Sequence, residues 1–224
     1  QFSAKITFDI GSNSSGSAYT AFLKIASLNW QATDNISMNM GMIGTKNFKF
    51  MEKNWGRRYI EKSALDKYKW ANAADAGISM EMKVSDNLSV DAQALNGEGY
   101  KNTQDELGLF RYGAGLTYKM NSIRLRLFRD MLGDQSNTTQ NITTAAVAFS
   151  KGNIKLGAEA NIMENASNVS EQTKNITSAY GSYMINDRIT IFASPSGSSG
   201  AMSTNINIEK SKWRTILNLF SRLC

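Results

Sequence analysis

Between Lys46 and Trp70 the chain concentrates eight cationic side chains, Lys46, Lys49, Lys53, Arg57, Arg58, Lys62, Lys67 and Lys69, against Glu52, Glu61 and Asp66. Six aromatic rings, Phe48, Phe50, Trp55, Tyr59, Tyr68 and Trp70, are interleaved with them. This stretch supplies most of the formal net charge of +6. Three kinds of chemistry suit such a mixture. Folded into a lumen, Lys53, Arg57, Arg58 and Lys62 would put positive charge on the path of a solute and favour anions, as charged rings do in selectivity filters. Alternatively, Trp55, Tyr59 and Trp70 would stack on sugar or base faces beside cations. A solvated loop would instead pack its rings on a rim and pair its charges with lipopolysaccharide phosphates. A segment of this length, here residues 45–72, is long for a plain connection and is commonly functional. Ser63–Tyr68 reads as a short helical turn within it.

The elements flanking this loop alternate with period two, the signature of half-covered strands. Ile36, Met38, Met40 and Met42 share one face, as do Ile78, Met80, Met82 and Val84. Further along, Leu88, Val90, Ala92 and Ala94 oppose Ser89, Asp91 and Gln93, and Ile123, Leu125 and Leu127 oppose Arg124 and Arg126. Polar faces carry Lys83, Arg111, Lys119, Arg124, Arg126 and Lys155, with Glu81, Asp91 and Glu159 opposing them. Some of these cations are expected in cross-lumen ion pairs, leaving a net cationic wall. Lys24 interrupts an apolar face read as Phe22, Ala26, Leu28 and Trp30, which calls for a bulge or a snorkelling side chain.

Short polar turns centre on Asp34, Asp86, Asn121, Gly152 and Asp187. They fall roughly 30–50 residues apart, room for two ~10-residue strands with one short and one long connection. That asymmetry, the wet polar faces, and Trp30, Tyr118, Phe149 and Tyr183 placed just before short turns favour a transmembrane barrel with an interfacial aromatic girdle. A soluble sandwich also alternates wet and dry faces. No apolar run approaches the ~18 residues of a membrane helix.

Composition excludes much else. Histidine is absent, which removes the commonest general base and metal ligand, and the single Cys224 allows no intrachain disulfide. One proline, Pro195, suits a chain of paired strands. No catalytic constellation, phosphate-cradling glycine loop or EF-hand pattern occurs, so no enzyme, cofactor or metal site is expected. Cations are confined to one loop and alternating wall positions, which argues against nucleic acid.

Two stretches, Met42–Met80 and Leu95–Met120, resemble outer-membrane porins of the phosphate-selective porin O/P-like family. They carry Glu52, Lys53, Trp55, Gly56 and Arg58 in the loop, then Ala74 and Asp75, then Asn96, Gly97 and Gly99. The resemblance extends over roughly residues 4–193 and implies a diffusion channel for small, often anionic, solutes. Members generally begin with additional strands and end on a strand with a terminal aromatic, so this chain looks partial or truncated. Phosphate-binding residues do not match one by one, and that specificity is not carried over.

The sequence therefore predicts an all-β, antiparallel transmembrane β-barrel of about twelve strands over residues 1–210, with short periplasmic turns and long external loops. Residues 211–224 form an atypical tail, read as an amphipathic helix or a truncated terminus. The expected function is a passive outer-membrane porin with a weak anion preference. The alternative is a non-conducting barrel or soluble β-sandwich serving as a surface-binding or adhesion module. Expected partners are outer-membrane lipid, lipopolysaccharide, small anionic or polar solutes and further copies of the chain, as in a trimer, in a bacterial outer membrane.

Overall fold

The computed structural model describes residues 1–12, 19–103, 110–133, 138–186, 189–194 and 196–201. Its strands are β1 (Phe2–Gly11), β2 (Thr20–Gln31), β3 (Ile36–Gly44), β4 (Ala74–Lys83), β5 (Leu88–Leu95) and β6 (Arg111–Met120). They continue as β7 (Ile123–Leu132), β8 (Gln140–Lys151), β9 (Ile154–Glu164), β10 (Thr173–Asn186), β11 (Ile189–Ala193) and β12 (Ser196–Ala201). All twelve belong to one antiparallel sheet in which each strand from β1 to β11 pairs with the next. Two helices, α1 (Lys46–Trp55) and α2 (Ala64–Lys67), lie in the β3–β4 connection.

β12 continues β11 rather than adding a new ribbon. Gly181 of β10 faces Ala193 of β11, and Ser178 faces Ser196 of β12, in one unbroken register. Residues 194–195 separate the two, and a proline such as Pro195 has no amide proton for a ladder. The part of the expected barrel beyond residue 201, the turn at Asp187 and the tail from residue 211 lie outside the described residues. The turns at Asp34, Asp86, Asn121 and Gly152 fall between paired strands as the sequence predicts. Gly152 and Asn121 take left-handed backbone conformations, φ 54° and 50°.

Which face is covered decides the class of sheet. Met80 is 37% exposed and Leu127 is 59% exposed, whereas their chain neighbours Ser79 and Arg126 are each only 3% exposed. The same inversion holds over much of β4 to β9, where polar side chains line the covered side and apolar ones face outward, with inward apolar residues such as Phe128, Ile142 and Met163 toward the long-loop ends. Ser79, Asp91, Gln93, Arg111, Thr117, Thr144, Glu159 and Asn161 are all buried. Within the described residues no second sheet packs on the apolar face. A soluble sandwich buries the opposite set; a membrane barrel wall alternates in this sense. Trp30, Tyr118 and Tyr183 sit on the outer face at the short-turn ends, and Trp30 stacks on Phe2 with centroids 5.9 Å apart.

Lys24 marks the expected bulge. Thr7 pairs with Ile25 and Phe8 with Leu23, so Lys24 is left out of the ladder. One extra residue reverses which side each later side chain faces. Leu23 therefore points outward and Phe22 inward, correcting the face on which the sequence reading put Phe22. Phe22 meets Tyr100 edge-on at 6.5 Å, and the Lys24 ammonium reaches Asp9 at 3.5 Å.

Gly41 and Gly77 face each other across β3 and β4 with φ of 107° and 156°. A Cβ on Gly77 would lie 2.1 Å from the Ala94 carbonyl oxygen, and one on Gly41 2.3 Å from that of Ala26. Only glycine fits at either position, a few residues before the chain feeds α1. Gly77→Ala should lower the stability of the refolded protein by several kcal/mol, read as a shifted urea midpoint, because strain and backbone collision add. Gly152→Ala, with open space around it, should cost about 1 kcal/mol. A photoactivated carbene reagent dissolved in the bilayer should label Met38, Met40, Met80 and Met82 but not Arg124 or Arg126. The reverse pattern would contradict the orientation of the wall.

Candidate functional site

The basic, aromatic loop enters the concave side of the sheet. Its neck is closed where the Thr45 hydroxyl donates to the Asn72 carbonyl at 2.6 Å and the Thr45 amide donates to Ala73 at 3.3 Å. α1 begins immediately and ends at Gly56, whose left-handed conformation (φ 66°) lets its amide donate to Glu52 at 2.8 Å. Asn47, Phe48, Met51, Asn54 and Trp55 are buried, at the three- and four-residue spacing of one helix face. Lys49 and Lys53 remain on the other side.

An amphipathic helix ordinarily docks on an apolar floor. This one meets polar wall, and its two asparagines supply the match. Asn47 donates to the Thr144 hydroxyl at 3.0 Å and accepts from Arg126 Nε at 3.1 Å. Asn54 accepts from Arg124 at 3.1 Å, and the Lys46 amide donates to Gln93 at 2.9 Å. Arg126 also grips Asp91 with two parallel bonds of 2.8 and 3.0 Å and donates to Thr117 at 2.9 Å. The belt continues as Thr144 donates to Asn161 at 2.6 Å and Asn161 to Glu159 at 3.0 Å. Phe50 and Phe128 lie over the Arg126 guanidinium at 5.3 and 4.9 Å. Gly115 makes room for it: a Cβ there would come within 2.8 Å of Arg126 Nη2.

Beyond Gly56 the loop holds itself together. Arg58 bridges Glu52 at 2.9 Å and Asp66 at 2.6 Å, and Glu52 also accepts from the Ser63 amide and hydroxyl. Trp55 donates its indole N–H to the Glu61 carbonyl at 2.7 Å and packs on Tyr180 and Phe192. Leu65, Trp70, Ile142, Met163 and Ile176 form an apolar cluster with Met51 and Ala64. The loop thus carries its own core across the interior, from β5 to β10 and β12, where Lys67 reaches Ser196 at 3.0 Å. Inward apolar residues near the long-loop ends of strands, such as Ile142 and Met163, are the residues the sequence reading missed. Their inward register positions are the signal that could have found them.

The sequence-predicted site residues divide clearly. Arg57 donates to the Tyr59 hydroxyl at 3.1 Å, Arg58 is the loop's brace, and Lys62 lies 3.8 Å from Asp66. Arg111 is buried 3.3 Å from Asp130, and Arg126 is bound to Asp91. Trp55 and Trp70 are buried in the loop's packing, and only Tyr59 of the three aromatics is exposed, at 72%. Lys53, Lys119, Arg124 and Arg126 instead come together around a cleft of about 480 Å³ between α1 and the wall, joined by Lys46 and Lys49. Glu81 and Asp91 are its only carboxylates among the lining residues, so six cations face two acids. Lys83 and Lys155 are exposed at the turn ends of their strands, and the Lys155 ammonium points toward Gly56. The described residues contain no cluster of metal-ligating side chains.

The residues that carry the porin resemblance are scaffold in this geometry. Glu52, Trp55, Gly56 and Arg58 brace the loop, and Asp75 accepts the Gly97 amide at 2.9 Å. No family model and no curated protein matches the chain. Among solved structures it is similar to the CymD monoaromatic hydrocarbon channel at 10% identity and TM-score 0.48, over 88% of this chain and 73% of that one. The L8-deletion mutant of OmpT, an outer membrane protein of Vibrio cholerae, is 12% identical with TM-score 0.48, over 89% and 80% of the two chains. OmpT in its trimer form is 12% identical with TM-score 0.45, over 96% and 81%. Such values are too low to transfer a solute or an assembly.

Removing Asp91 alone should be far costlier than removing the pair. Asp91→Ala leaves the buried Arg126 charge unmatched, which should cost about 3–5 kcal/mol. Combining it with Arg126→Met should recover much of that loss in urea unfolding. Additive losses would show that the two residues act independently.

Proposed function

We propose that this chain forms the wall and constriction of an outer-membrane channel that passes small hydrophilic solutes with a weak anion preference. The observation that carries the reading is the β3–β4 loop seated within a polar interior, leaving a cleft whose lining is six cations to two carboxylates. A wall apolar outside and polar inside suits a bilayer with water in the bore. Cations beside a narrow passage concentrate anions and repel cations. The solute path runs past Lys46, Lys49, Lys53, Lys119 and Arg124 at the cleft, with Lys155 beside the end of α1. Arg58, Lys62, Arg111 and Arg126 tune the field while holding the loop and wall in place, and Arg57 and Lys83 add positive charge nearby.

A phosphate-type solute is the finer reading that the O/P-like resemblance suggests, and the cationic cleft is compatible with it. The outward apolar band would contact outer-membrane lipid, the exposed loop cations lipopolysaccharide, and further copies would complete an oligomer such as a trimer.

Planar-bilayer recording tests this directly. Purified protein should give ion-conducting steps, with a reversal potential in a salt gradient showing anion preference that Lys49→Glu weakens. Absence of steps would retire the channel. Lys49 keeps contact with solvent but is enclosed enough that lost hydration, followed by the nearby charges of Lys46 and Lys5, lowers its pKa below the ordinary 10.5. It therefore loses its charge earlier than a freely hydrated lysine would as pH rises. Anion preference should begin to fall below pH 10.5, and Lys49→Arg should hold it to higher pH because a guanidinium stays protonated.

A further inference from the structure

We infer that the channel conducts asymmetrically: among the cations lining the cleft, those without a carboxylate partner stand against the turn-side halves of the strands, which makes that mouth an anion-collecting vestibule, while most of the charges toward the long loops are paired. This inference rests on the channel reading above and adds a direction to it.

Strand positions locate the cleft. Ser37 is the second residue of β3 after its turn, Ser89 the second of β5, and Arg124 the second of β7. Lys119 is the last residue but one of β6, and Glu81 is two residues from the end of β4. Every wall residue of the cleft therefore belongs to the turn-side half of its strand. Within it Glu81 is taken by Lys46 at 3.1 Å and Asp91 by Arg126. Lys49, Lys53 and Lys119 have no carboxylate partner among the described residues, and Arg124 is bound to the neutral Asn54. Lys155 adds to the same side, close to the end of α1.

Across α1, toward the long loops, most of the charges pair with each other, while Arg57 binds the Tyr59 hydroxyl and Lys69 is exposed. Arg58 meets Glu52 and Asp66, Lys62 meets Asp66, Lys67 meets Glu61 and Arg111 meets Asp130. Lys24 meets Asp9 there too. A fixed positive zone in series with a neutral one rectifies. When anions are driven inward from the turn face, they enter freely while counter-moving cations are stopped at the vestibule. Both ions then accumulate at the constriction and conductance rises. Opposite polarity empties the same region. The effect needs a screening length comparable with the cleft, about 10 Å at ~0.1 M salt, and fades near 1 M, where it is about 3 Å.

The test is single-channel current at equal positive and negative voltages in low and high salt. Orientation is assigned by the side from which a membrane-impermeant thiol reagent reaches Asp86→Cys, made in a Cys224→Ser background. At ~0.1 M salt conductance should be about twofold larger for anions moving from the turn face, and the ratio should approach one at ~1 M. Lys49→Glu/Lys53→Glu/Lys119→Glu should abolish or invert the ratio, and Lys49→Met should reduce it if the triple variant does not fold. Lys69→Glu, an exposed loop-side reversal, should leave it unchanged. Anion-preferring but symmetric current, or asymmetry of the opposite sign, overturns the inference and leaves the channel intact. No current at all overturns the channel reading and this one with it.

Discussion

A strand wall that turns its apolar side chains to the outside must line its concave side with polar groups, and every one of those groups then needs water or a partner. That constraint explains why the loop between β3 and β4 enters as it does. Asn47 and Asn54 on α1 meet the donors and acceptors of the wall, where leucines would take the Arg126 Nε, the Thr144 lone pair and Arg124 out of water without replacing those bonds. The Asp91–Arg126 pair stands at the centre of this arrangement because it ties β5 to β7 and presents the guanidinium edge to Asn47. Its bidentate geometry also fixes the orientation of the guanidinium plane, against which Phe50 and Phe128 pack.

Two kinds of charge follow from the same layout. Charges with a structural task are paired and close together: Arg126 with Asp91, Arg58 with Glu52 and Asp66, Arg111 with Asp130. Around the turn-side cleft Lys49, Lys53 and Lys119 have no carboxylate partner among the described residues, and Arg124 binds the neutral Asn54. Arginine suits the first set because its planar fork matches a carboxylate. Lysine suits the second because a mobile point charge attracts anions without holding them in one geometry.

The long loops cooperate at the opposite mouth. Tyr100 donates to Asp9 from the β5–β6 connection, and Lys101 lies 5.1 Å over the Phe22 ring that the Lys24 bulge turned inward. The Gly97 amide on Asp75 pins the base of the same connection. Both connections are thus anchored at their bases, and the positive-φ pair Gly41 and Gly77 lies near the strand ends that launch the first of them.

Period-two alternation made the strands, the short turns and the identity of the outward methionine rows legible without coordinates. A side chain's face is a local property of an extended chain, so Met80 against Ser79 and Leu127 against Arg126 could be assigned from spacing alone. The Lys24 bulge was visible as a break in that rule. The loop's basic and aromatic content was equally plain, but its disposition was not. Whether Trp55 and Trp70 would stack on a ligand or pack inside depends on Tyr180, Phe192, Ile142 and Met163, more than seventy residues away in the chain. Likewise, only the assembled sheet decided that Arg126 meets Asp91 while Lys119 meets no acid, because pairing depends on which strands become neighbours and in what register. Composition and periodicity settled what each residue type must face; long-range register settled which charges cancel and which remain.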